Sequence, residues 1–222
     1  MSLLISGDLR LSKTQIIPTV IGEPFGGGYF AGYISHTADG NPTHALIVAP
    51  RATGATGTGY PLTTNRQWKT TETLTAGTTS DFDGAVNTAA MVTAGIDDHP
   101  AAQFCVNLSI GGFTDWYLPS RYELDIAYFN LKPTTAANQT SWGTNIYAVP
   151  QRNSNWSAAY PIQTNLAAFN TSAEAFVADN HSSSTEHTAT YMWRFIFIGG
   201  NQSVTGRKTT SFPVRAFRRI AL

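Results

Sequence analysis

Charge is the first thing this chain is short of. Lysine and arginine total 14 in 222 residues, aspartate and glutamate another 14, so the formal net charge is zero. Charged residues make up 13% of the chain, about half the usual share. Proteins that hold a phosphate backbone carry a basic face or stripe. Here the only basic cluster is Arg215, Arg218 and Arg219. Nucleic acid is therefore not an expected partner.

Cysteine is nearly absent, and Cys105 alone excludes an intrachain disulfide. It sits in Pro100-Ala-Ala-Gln-Phe-Cys-Val-Asn-Leu108, which reads as a short helix with the thiol toward its apolar side. No run of Lys, Arg or His lies close in sequence to activate it, so an inert, buried thiol is expected. Long apolar runs are missing as well. Nothing reaches the roughly 20 residues that span a bilayer, so membrane insertion is not expected. The segment Met1–Arg10 lacks a basic stretch followed by an apolar one, and a secretory signal is not expected either. A hydroxyl-rich protein suited to an outer surface then needs another way out of the cell. Assembly into a virus particle, released by lysis, is one such route.

Signatures of catalysis are also lacking. There is no Gly-x-Ser-x-Gly elbow and no His-rich metal motif. Gly26-Gly27-Gly28 has neither the Lys-Ser/Thr of a phosphate loop nor dinucleotide spacing, and reads as flexible backbone beside aromatic strand residues. Asp81 and Asp83 start no calcium loop, because further oxygen ligands and a closing Glu are absent; they suit helix N-capping. The carboxylates Asp115, Glu123, Asp125, Glu174, Asp179 and Glu186 are scattered, with no pair in a context that sets a glycosidase separation. No cofactor or metal is expected, and the expected role is non-enzymatic.

What is present is a core. Apolar residues reach 42%, and a chain of this length buries roughly 70% of its unfolded surface. Residues 1–20 read as an extended arm for docking or oligomerisation, a trimer being the favoured homo-oligomer, and residues 21–222 as one domain. Phe25–Ile34 and His44–Ala49 read as strands around the turn material Asp39-Gly40-Asn41-Pro42. Ala85–Val92 reads as a helix. Ser120 and Glu123 stand at capping-box spacing, and Pro119 blocks an earlier start, so a helix is predicted from Ser120 to about Leu131. Tyr191–Ile198 reads as a central strand apolar on both faces except at Arg194, Gln202–Thr205 as its return, and Phe212–Ile220 as a closing strand. No repeat or heptad is visible.

Between Lys132 and about Asn170 lies a long irregular stretch carrying Trp142, Tyr147, Arg152, Asn153, Asn155, Trp156 and Tyr160. Aromatics mixed with amides and Arg suit a carbohydrate or protein surface. The same aromatics could equally pin the loop to the core. The candidate ligand-binding set is Trp142, Arg152, Asn153, Asn155, Trp156 and Tyr160, with His181 and Glu186 near the sheet end.

Several segments carry a resemblance. Gly111-Gly-Phe-Thr-Asp-Trp-Tyr-Leu-Pro-Ser-Arg-Tyr-Glu-Leu124, Ser183-Ser-Thr-Glu186 and Val214-Arg-Ala-Phe-Arg218 occur in that order. Asp83-Gly-Ala-Val-Asn-Thr88 and Ala101-Ala-Gln-Phe-Cys105 precede them. Together, over about residues 22–220, the chain resembles the domain of unknown function typified by the C-terminal domain of collagen-like bacterial adhesins. That family is related to the C-type-lectin-like and formylglycine-generating-enzyme-like folds. The Gly-rich first strand and Asn130-Leu-Lys-Pro133 resemble the form found in virion structural proteins of tailed bacteriophages. The resemblance implies an α+β, C-type-lectin-like fold with small mixed or antiparallel sheets, two to three helices and long loops. It implies a place on the virion surface, beside other capsid or tail proteins. The function implied is attachment to a host-surface glycan or protein, or else shell architecture alone; a polysaccharide hydrolase is the remaining alternative. His181 and Ser182 stand where relatives have an aromatic-Trp pair. One cysteine rules out carrying over formylglycine chemistry, and the calcium-sugar triplets of true C-type lectins are not recognisable.

Overall fold

The computed structural model describes residues 17–171 and 173–222, so the arm expected over 1–20 lies outside the described residues except for its last four. The order is β1 (Pro24–Phe25), β2 (Gly28–Ile34), β3 (His44–Val48), α1 (Arg51–Gly54), β4 (Ala55–Thr56) and β5 (Arg66–Gln67). The helical middle follows: α2 (Gly84–Gly95), a 3-10 turn (Ile96–Asp98), α3 (Pro100–Val106) and α4 (Arg121–Leu131). Strands β6 (Ala148–Val149), β7 (Asn180–Glu186), β8 (Tyr191–Ile196), β9 (Asn201–Arg207), β10 (Ser211–Phe212), β11 (Val214–Arg215) and β12 (Phe217–Ala221) complete it. This is a mixed α+β chain whose named strands all pair antiparallel.

The first expected strand is really two. Gly26 and Gly27 take φ values of 57° and 83°, which side chains resist, so the chain reverses there and β1 folds onto β2. The β2–β3 hairpin forms as the sequence predicts, and β12 adds to the far side of β3. The closing strand is corrected. It breaks into three pieces with three partners: β10 on β5, β11 on β4 and β12 on β3. Pro213, between the first two, has no N–H for a continuous ladder; its carbonyl instead accepts from Ser182 N–H at 3.0 Å.

Helix starts follow their caps. Asp83 accepts from Val86 N–H at 2.9 Å and opens α2. At α4 the full capping box is present: Ser120 Oγ accepts from Glu123 N–H, and Glu123 Oε2 accepts from Ser120 N–H at 2.7 Å. Helix α4 then buries Leu124, Ile126, Ala127, Tyr128 and Leu131 against β2 and β8. Asn130 Nδ2 ties it to the β2 bulge by donating to Ala31 O at 2.8 Å.

The segments that carry the resemblance meet at the start of α4. Tyr117 and Phe217 exchange backbone hydrogen bonds of 2.7 and 3.0 Å, and Arg218 pairs with Asp115. Ser184 N–H donates to Pro119 O at 2.7 Å, Leu118 N–H to Thr88 Oγ1 at 3.1 Å, and Gly84 N–H to Glu123 Oε2 at 3.1 Å. Cys105 is fully buried beside Trp68, Trp116 and Met91 in the second of two apolar clusters.

Candidate functional site

The first turn of α4 forms the floor of a cleft of about 350 Å³. Ser120 caps the helix, so Arg121 and Tyr122 emerge at its first two positions and face the side chains of β8 and β9. Arg121 is locked from every direction. It grips Asp81 with two hydrogen bonds of 2.6 and 2.8 Å and donates to Gln202 Oε1 at 2.9 Å. Its guanidinium carbon lies 4.2 Å from the Tyr122 ring centre and 4.3 Å from that of Trp193. A cation between two aromatic faces holds both rings still.

Trp193 and Trp142 form the walls, ring centres 6.1 Å apart and planes at 87°. Both indoles are half-buried, each leaving part of its surface open to the cleft. Thr144, Ser141 and Asn155 make the polar rim. Asn155 Oδ1 accepts from Thr144 Oγ1 at 2.9 Å, so the amide N–H₂ is left to donate outward. Gln202 likewise uses its oxygen on Arg121 and keeps its amide N–H groups. The arrangement presents the exposed parts of two indoles packed edge-to-face, with amide donors and hydroxyls around them.

The irregular stretch is held by two buried asparagines. Asn145 donates to Asp125 Oδ1 at 2.7 Å and accepts from the Tyr147 and Ala148 N–H groups, both at 3.1 Å. Asn138 accepts from Tyr128 Oη and Lys132 Nζ, each at 2.7 Å, and donates to Pro161 O at 2.9 Å. With these amides satisfied internally, a segment whose regular structure is confined to the two-residue β6 keeps a defined shape.

The sequence-expected site residues separate into three groups. Trp142 and Asn155 line the cleft. Arg152, Asn153, Trp156 and Tyr160, again with Asn155, line a neighbouring hollow of about 380 Å³. Within it Arg152 is a support: its guanidinium pairs with buried Asp125, donates from Nε to Gly143 O at 3.1 Å and covers Phe129. Burial pulls its pKa down to about 10. Trp156 is a core residue, packed on Tyr128 and Phe195, so for this ring the pinning alternative holds.

His181 and Glu186 form the third group and are not brought to the loop; this corrects the sequence-based grouping. Strand β7 runs inside the molecule, and its inner residues are covered from both sides. His181 is fully buried, with Nδ1–H donating to Asp179 O at 3.1 Å and Nε2 accepting from Tyr60 Oη at 2.7 Å. Glu186 accepts from Thr75 N–H at 2.9 Å and pairs with buried Lys208. Missed from the sequence were Arg121, Tyr122, Trp193 and Gln202. The signal for Arg121 and Tyr122 was the capping box itself, which dictates where the first helical side chains emerge. Trp193 was hidden in a run that reads as apolar on both faces, whereas only Met192 and Phe195 of β8 are buried.

Among the described residues no carboxylate lines either cavity. Among the described residues no group of three His, Cys, Asp or Glu is placed to hold a metal ion, and no helix is long and apolar enough to cross a membrane.

No protein-family model and no curated protein matches the chain. Among solved structures it is similar to a fimbrial protein from Bacteroides ovatus ATCC 8483, at 14% identity and a TM-score of 0.36. The match covers 78% of this chain and 35% of that protein, so the chain spans about a third of its length.

Proposed function

We propose that this chain is a non-enzymatic surface module that holds a host glycan in the Trp142–Trp193 cleft. One observation carries the reading: two half-exposed indoles packed edge-to-face, one of them held by an Arg121 that is itself immobilised. Sugar rings offer apolar C–H faces and a rim of hydroxyls, and that pairing of surfaces is what the cleft complements.

The scaffold we propose is C-type-lectin-like. Supporting it is the meeting of the resembling segments at the start of α4, with β12 laid beside the N-terminal hairpin. The setting proposed is the surface of a tailed-bacteriophage particle, as a capsid decoration, a fibre component or a tail adhesin, beside other virion proteins. It rests on the sequence resemblance and on the low-charge, hydroxyl-rich composition. Residues 1–20 would dock or trimerise the chain. A deletion of residues 1–18 that left both oligomer size and particle incorporation unchanged would remove that role.

The test is binding of the purified protein to host cells and envelope glycans, compared with Trp142→Ala and Trp193→Ala. Binding by the parent and its loss in both variants, with folding intact, supports attachment. Absence of binding, together with particles made fragile by omitting the protein, favours a purely architectural role. The hydrolase alternative has little to work with. Asp115, Glu123, Asp125, Glu174 and Glu186 are all engaged by Arg, Lys, Tyr or amide partners, and turnover of a surface polysaccharide by the purified chain would revive it.

A further inference from the structure

The two cavities are neighbours that share Asn155, and neither carries net charge. Arg121, in the first, is neutralised by a two-bond contact with Asp81. Arg152, in the second, is neutralised by buried Asp125. Among the described residues, apart from these paired arginines, the linings hold no Asp, Glu, Lys or His. What faces outward is aromatic carbon, amide and hydroxyl. Tyr160 supplies the second cavity with a ring that is 56% exposed and stands edge-on to Phe129.

Resting on the reading of the first cleft as a glycan site, we infer that the two cavities are adjoining subsites for one neutral, linear oligosaccharide. One sugar ring sits against the exposed parts of Trp142 and Trp193, the chain crosses Asn155, and a later ring lies on Tyr160. An anionic glycan, sulfated or sialylated, is disfavoured because among the described residues no unpaired cation lines the cavities and the desolvation of its charge goes uncompensated. Neutral recognition of this kind depends on stacking and amide hydrogen bonds, which salt does not screen.

The test uses the full chain on an array of neutral and anionic host-envelope glycans, then calorimetry on the size series of the best binder. The expected result is a neutral series whose affinity rises about tenfold or more beyond the single sugar. It changes less than about twofold between roughly 50 and 500 mM sodium chloride. Tyr160→Ala is expected to abolish the gain with chain length while leaving single-sugar binding intact; Trp193→Ala is expected to lose both. Preference for anionic glycans with steep salt dependence overturns the inference and leaves the glycan reading standing. Neutral binding that ignores both chain length and Tyr160→Ala does the same. No binding to any glycan overturns the inference and the reading beneath it.

Discussion

Arg218 and Asp115 face each other in a two-bond ion pair, Nε to Oδ1 at 2.7 Å and Nη2 to Oδ2 at 2.9 Å, across 103 residues of chain. The same guanidinium lies 3.9 Å from the Phe113 ring centre and donates to Gly26 O at 3.1 Å. One side chain thus ties the last strand to the β1–β2 turn and to the loop before α4. The two partners are not equal. Asp115 is 54% exposed, so solvent screens its share, and Asp115→Asn is expected to cost no more than about 1 kcal/mol. Arg218→Ala removes a buried stem, the ring contact and the carbonyl bond together, and is expected to cost about 2–3 kcal/mol. Urea unfolding of both variants checks this; equal costs would mean that the ion pair alone matters.

The tryptophans divide by role. Trp156→Ala empties a site between Tyr128 and Phe195 and is expected to cost about 3–5 kcal/mol, so binding lost in that variant reports unfolding. Trp193→Ala is expected to cost about 1 kcal/mol and to reduce glycan affinity tenfold or more. Thermal melts run beside binding curves separate the two. A Trp193→Ala protein that binds normally removes the cleft from consideration.

Acid should weaken this fold between pH 6.5 and about 4. Burial holds His181 down to about 4, and desolvation lowers His36 to about 4 as well; His44 and His99 move the same way. Unfolded imidazoles take a proton near 6.5, so in that window the unfolded chain binds more protons than the native one. Stability is then complete above pH 6.5 and declines below it, by roughly 3 kcal/mol for His181 alone. Glu123, pushed by burial up to about 7, acts in the opposite sense, and three hydrogen bonds donated to its oxygens restrain that shift. Denaturant midpoints measured across the window check the sum. The His181 ring should remain neutral by nuclear magnetic resonance at about pH 5, and a ring that titrates at its ordinary value contradicts the burial argument.

Cys105 is buried, and desolvation raises its thiol well above the ordinary range. A thiol reagent is expected to leave the native protein unlabelled and to modify one group per chain once urea unfolds it. Rapid labelling of the native protein would mean that α3 opens readily.

Local chemistry was legible without coordinates. The Ser120–Glu123 box, the Asp83 cap, the β2–β3 hairpin and the buried Cys105 helix each depend on a few consecutive residues, and each forms as its residue pattern implies. Arg215 and Arg218 serve the fold through carboxylates and carbonyls. The loop aromatics were recognisable as a set, yet pattern alone could not separate Trp142, half-buried and partly open to the cleft, from Trp156, which is buried in the core.

What the amino-acid order determined by itself was the starts of α2 and α4 and the first hairpin, because caps, turn glycines and prolines act within one turn of chain. Which surfaces face outward was decided only when distant segments packed. Arg121 meets Gln202 across 81 residues, and Trp193, on which Arg121 and Trp142 pack, stays half-buried at the edge of the cleft. A cleft made from five separate stretches has no local periodicity to announce it; it exists only where packing leaves those side chains uncovered.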